Sequence, residues 1–112
     1  MHNSKSSSVE EHALAVIELS RPLVEAVRRK DRDLASQLRR AISSVALNLA
    51  AGFGCSSGNA RLRFETALGS LKEAQMGIRV AIAWGYFSAE AAEGTLDSAS
   101  ALGGRIVGLV RR

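Results

Sequence analysis

The sequence predicts an all-α fold: one domain forming an antiparallel up-down-up-down four-helix bundle. Three observations predict it. Apolar residues recur every three or four positions through four separate segments. Clusters of breaker residues separate those segments, the clearest being Gly52, Gly54 and Gly58 with Ser56 and Ser57. The chain has one proline, 4% aromatic residues and 46% hydrophobic residues, a composition that favours helices over a strand-rich sandwich. At 112 residues it can bury one modest core but not two. Residues 1–8 read as a polar, disordered lead-in and residues 9–112 as the bundle.

The first helix is expected to start at Ser8, which with Glu11 has the spacing of a capping box. Val9, Ala13, Val16, Ser20, Leu23 and Val27 then form its inner face, widened by Leu14, Ile17 and Val24. Pro22 lies within this stripe, where it removes one backbone donor and crowds the carbonyl of Glu18, so a kink is expected. Arg28, Arg29 and Lys30 suit the negative end of the helix dipole, and Asp31 or Asp33 can cap the next helix.

The second helix carries Leu34, Leu38, Ala41, Ile42, Val45 and Leu49 on one side. Gly52, Gly54 and Gly58, with Ser56 and Ser57, then form the clearest break in the chain. A long third helix follows to Trp84, with Phe64, Leu68, Leu71, Gln75, Ile78 and Ile82 as its stripe and Leu62, Ala67, Ala74 and Ala81 beside it. Gly69 and Gly77 each cost about 1 kcal/mol relative to alanine, which suggests close approach of a neighbouring helix. Gly85 ends the third helix and Ser88 caps the fourth, whose stripe is Leu96, Ala99, Gly103, Ile106 and Val110. The small residues Ala99, Ala101, Gly103, Gly104 and Gly108 suggest further close contacts.

Several function classes find no support. Cys55 is the single cysteine, so no intramolecular disulfide and no thiolate zinc site can form within one chain. His12 stands alone on the first helix and His2 lies in the lead-in, without the i, i+4 pair of a helical metal site. The stretch Gly52–Gly58 lacks the lysine of a phosphate-binding loop and follows no strand. No apolar run approaches the roughly 20 residues of a membrane span, and the first residues lack the apolar core of a secretory signal. A cytoplasmic protein without catalytic residues or cofactor is expected.

Two groups of residues hold functional interest. The formal charge of +4 is concentrated in Arg28, Arg29, Lys30, Arg32, Arg39 and Arg40 around the first turn, with Arg61, Arg63, Arg111 and Arg112 as an extension. Such a set can contact RNA or DNA phosphates; the alternative is a solvated surface paired with Asp and Glu. Asn48, Ser70 and Glu73, around Gly52, Gly54 and Gly69, are expected to form a structural polar cluster at facing helix surfaces.

The run Ser44-Val45-Ala46-Leu47-Asn48-Leu49-Ala50-Ala51-Gly52-Phe53-Gly54 resembles a signature of the bacterial four-helix bundle proteins encoded by intervening sequences within 23S ribosomal RNA genes. The resemblance continues through Phe64, Ala67-Leu68-Gly69-Ser70-Leu71, Glu73 and Gly85-Tyr86, and covers about half the chain, from Leu38 to Phe87. Ala46 stands where the family has proline, and Ala51 where it has glutamate, so a role for that glutamate does not carry over. The resemblance implies a bundle that assembles with itself into a ring, a homopentamer, with no known enzymatic activity. By fold it is also similar to the basic pentameric accessory protein of diversity-generating retroelements, which engages a reverse transcriptase and nucleic acid. The leading expectation is therefore a homo-oligomeric scaffold or interaction protein. The alternatives are a nucleic-acid-binding accessory protein, and a small-ligand carrier or enzyme using a pocket between helices.

Overall fold

The computed structural model describes the backbone of residues 4–55 and 58–112, and the side chains from Ser8 onward within them. It holds four helices: α1 (Ser4–Arg28), α2 (Arg32–Gly54), α3 (Asn59–Trp84) and α4 (Ala89–Val110). The bundle measures 43 × 22 × 22 Å, and 26 residues of α3 at about 1.5 Å rise account for its long axis. Each helix packs on the next in sequence and α4 closes against α1, which makes a square of helices.

The composition of the core shows that the helices alternate in direction. One cluster joins Val9, Ala13 and Val16 of α1 to Val45 and Leu49 of α2, Phe64 and Leu71 of α3, and Leu102, Ile106 and Leu109 of α4. The other end joins Leu23 and Val27 to Ala35, Leu38, Ile78, Ala81 and Ala92. The start of α1 therefore lies beside the end of α2, the start of α3 and the end of α4, as an up-down-up-down bundle requires.

α1 begins at Ser4, a turn before the expected capping box, because Ser8 is already inside the helix and its hydroxyl accepts from Arg105 instead. The expectations for residues 1–3, and for Ser56 and Ser57, fall outside the described residues. The predicted inner face of α1 is buried throughout, but Leu14 is exposed at 49%. α1 continues as helix through Pro22.

Asp31 caps α2 by accepting from the Leu34 amide at 3.0 Å, and Asp33 takes a place in the first turn. Gly85 ends α3 at φ 81°, with its own amide donating to Ile82 and that of Tyr86 to Ala81. That pairing satisfies two carbonyls at the helix end and needs a left-handed residue, hence glycine. Ser88 caps α4 by accepting from the Ala91 amide at 3.1 Å.

The phase of α3 and α4 differs from the sequence expectation. In α3 the buried seam is Phe64, Ala67, Leu71, Ala74, Ile78 and Ala81, so three of the alanines expected as flanks are the core, while Leu68, Gln75 and Ile82 are half-buried and Leu62 is exposed. In α4 the seam is Ala92, Thr95, Ala99, Leu102, Ile106 and Leu109. Thr95 can be buried because its hydroxyl donates to the Leu19 carbonyl at 3.1 Å. Of the glycines expected to admit a neighbouring helix, Gly77 does so: a Cβ there would meet Leu38 Cδ2 at 2.6 Å. Gly69, Gly104 and Gly108 do not, since each faces open space, and Ala101 is exposed.

Candidate nucleic-acid interface

α1 and α2 present a concave surface whose dominant chemistry is guanidinium. An open groove of about 770 Å³ is lined by Arg28, Arg32, Arg39 and Arg40, interleaved with Ser36, Ser43, Ser44, Leu47 and Asn48. A smaller hollow of about 380 Å³ shares Arg28, Arg39 and Ser43 with it, and adds Arg21 and Glu25. Helical periodicity builds the groove, because Arg32, Ser36, Arg39/Arg40, Ser43 and Leu47 recur at steps of three or four and form the outer face of a helix whose inner face is core.

Among the described residues the one acid lining this surface is already engaged. Glu25 and Arg28, one turn apart on α1, form a two-point ion pair at 2.5 and 3.3 Å. The hydrogen bond from Arg28, reinforced by its charge, holds the Glu25 carboxyl below its ordinary value and raises the guanidinium. Arg32, Arg39 and Arg40 have no ion-pair partner among the described residues. Arg32 opens α2, where the helix dipole disfavours a cation, so local helix energetics do not account for it.

Of the six basic residues expected to cluster, Arg28, Arg32, Arg39 and Arg40 are brought together. Arg29 and Lys30 are exposed in the adjoining turn and do not line the groove. The extension needs correction. Arg61, Arg63, Arg111 and Arg112 belong to the opposite end of the bundle, because α3 starts and α4 ends there. Arg63 alone reaches back, donating to Asn48 Oδ1 at 3.5 Å at the far end of the groove. Sequence reasoning missed Arg21, although its seven-residue separation from Arg28 places both on one helix face.

The expected polar cluster forms in part. Asn48 Nδ2 donates to the carbonyl and hydroxyl of Ser44, at 2.9 and 3.0 Å, and the Ser44 hydroxyl pairs with Ser70 at 2.8 Å across the α2–α3 contact. Ser44 is the bridge the sequence did not reveal. Glu73 is exposed and takes no part, and Gly69 is exposed on the same helix. Gly52 lies under the Phe64 ring, which a Cβ would overlap, and Phe64 in turn meets Phe53 edge-on at 5.0 Å. Gly54 is exposed at the end of α2, with open space beside it.

His12 is not solitary in space. Its Nδ1 accepts from Arg105 at 3.0 Å, which leaves Nε2 to donate to the Ser98 carbonyl at 3.1 Å. Arg105 also donates to the Ser8 hydroxyl at 2.6 Å, so the four residues stitch α1 to α4. Cys55 is half-buried with a free thiol. No group of three or more His, Cys, Asp or Glu is placed to hold a metal ion among the described residues. Among the described residues no helix is long and apolar enough to cross a membrane.

Comparison with known proteins bears on most of the chain. A family model described as 23S rRNA-intervening sequence protein matches residues 7–108. A crystal structure of a protein of unknown function from the S23 ribosomal protein family of Bacteroides thetaiotaomicron superposes with a TM-score of 0.82 at 14% identity, covering 93% of this chain and 99% of that one. At that identity the likeness is one of fold. No curated protein matches in sequence.

Proposed function

This chain belongs to the family of 23S rRNA-intervening sequence proteins, and we propose that within it the protein is a non-enzymatic, homo-oligomeric interaction protein whose partner is nucleic acid. The observation that carries the reading is the α1–α2 groove: four arginines line one concavity, and the one carboxylate that lines it or the adjoining hollow among the described residues, Glu25, is paired within the chain. Guanidinium groups there can offer paired donors to phosphate oxygens, and the interleaved Ser36 and Ser43 add neutral donors. No aromatic ring lines the groove among the described residues, so backbone phosphates are the feature its guanidinium groups recognise.

A non-enzymatic role is supported by how the chain uses its polar side chains: Ser44, Asn48, Ser70, His12 and Ser98 all hold helices to one another. Self-association is supported by large apolar side chains left on the surface, with Leu62 at 61% and Trp84 at 70% exposed. The resemblance described above implies a ring of five, and a reducing cytoplasm suits the free Cys55.

The test is fluorescence anisotropy with a labelled RNA duplex across a salt series. Binding at low salt should weaken steeply as salt rises, and Arg39→Ala or Arg40→Ala should each lower the log–log slope by about 1. No binding at the lowest salt, or slopes unchanged in both variants, overturns the assignment of nucleic acid to this groove.

A further inference from the structure

Four glycines lie inside helices at positions where this chain's own packing does not require them. Gly69 of α3 and Gly94, Gly104 and Gly108 of α4 are exposed, and a Cβ at any of them would meet nothing within 4 Å. Each destabilises its helix relative to alanine, and nothing within the bundle offsets that. Their placement is ordered. On α3, Leu62, Gly69 and Met76 follow one another at seven-residue steps on the outer face; on α4, Gly94, Ala101 and Gly108 do the same. A seven-residue surface repeat is the pattern by which one helix lies along another. The two faces are complementary in shape, because α3 carries the exposed side chains of Leu62 and Met76, whereas α4 is flat.

We propose that the outer face of α3 packs on the outer face of α4 of a second copy, the two helices running antiparallel with Leu62 over Gly108, Gly69 over Ala101 and Met76 over Gly94. Charge selects both the occupant and the direction. α4 is acidic over its first half, with Glu90, Glu93 and Asp97, whereas the second half of α3 presents Lys72 and Arg79 on one flank of the apolar stripe and Glu73 on the other. The antiparallel register sets Arg79 against Glu90 and Lys72 against Asp97. A parallel register sets Lys72 against Arg105 and Arg79 against Arg112, like charges in both cases. Because the two faces differ, each copy keeps one of each free after a first contact, and assembly proceeds to a ring or chain instead of stopping at a dimer. The α1–α2 arginine groove lies on other helices and stays open.

This rests on the self-association in the proposed function and gives it an address. The experiment is analytical ultracentrifugation of the full chain at micromolar concentration, with circular dichroism to verify helicity. The wild type should sediment as an assembly. Met76→Glu and Arg79→Glu should each weaken association by about tenfold or more without loss of helix. Glu90→Arg should weaken it likewise, and the Arg79→Glu/Glu90→Arg pair should restore it. Assembly unchanged in the three single variants, or not restored in the pair, overturns this face and register while self-association stands. A wild-type monomer overturns both.

Discussion

Replacing Gly77 by alanine tests the packing of α2 on α3 at one point, and the structure sets its magnitude. The new Cβ would sit 2.6 Å from Leu38 Cδ2 and 3.3 Å from its Cγ, both well inside van der Waals contact. Leu38 is 2% exposed and packed within the cluster that joins Leu23, Val27, Ile78 and Ala81, so it has little room to retreat. Over-packing of this kind costs about 1–3 kcal/mol. The gain in helix propensity offsets up to about 1 kcal/mol, which leaves a net loss of about 1–2 kcal/mol. Leu38→Ala alone should cost about 3 kcal/mol through lost burial and a cavity. In that background Gly77→Ala no longer meets an obstacle and should stabilise by about 0.5–1 kcal/mol, a coupling of about 2 kcal/mol. Urea unfolding followed by far-ultraviolet circular dichroism, at one fixed protein concentration, measures all four corners of the cycle. A Gly77→Ala protein as stable as wild type, or one that loses the same amount in both backgrounds, would refute the close approach of α2 and α3 at this position.

Two further outcomes follow from the same end of the bundle. Gly85→Ala must hold a Cβ at φ 81° and should lower stability by about 1–2 kcal/mol in the same urea assay, even though no atom stands in its way. The Tyr86 phenol is raised above its ordinary value, first by removal from water and then by its hydrogen bond to the Asp31 carboxylate at 3.1 Å. Its neutral form is therefore favoured by folding, so its contribution is complete below the unfolded value near 10 and is lost as pH rises through the folded value. Wild type should lose stability more steeply than Tyr86→Phe above about pH 10, and identical alkaline profiles would count against the Tyr86–Asp31 link.

Local rules accounted for the helix ends. Asp31, Ser88 and Gly85 act where their own chemistry places them, since a cap satisfies amides or carbonyls within a few residues of itself. The start of α1 was misread because a capping box is a spacing, and Ser8 found a partner 97 residues away in Arg105. The α3 seam was misread for a related reason. Apolar residues occupy Leu68 and Ile82 as well as Ala67 and Ala81, so periodicity fixes the face only to within one position. The small alanines go inward because α2 and α3 pack closely.

For the candidate site, charge type was legible and grouping was not. Arg28, Arg32, Arg39 and Arg40 could be counted along the chain, and Arg21 could have been found from its step to Arg28. That Arg111 and Arg112 stand at the other end depends on chain direction in the folded bundle.

The sequence by itself determined that there are four helices, where three of them are capped and which broad face of each is apolar, because caps and amphipathic stripes depend on neighbours within a turn or two. Only the tertiary structure decided which seam residues meet, that Ser44 joins Asn48 to Ser70, that His12 ties α1 to α4, and which arginines share a groove. The hydrogen bonds between helices among them join atoms 26 to 93 residues apart, and such distances close only when burial of all four apolar faces fixes the helices against one another at once.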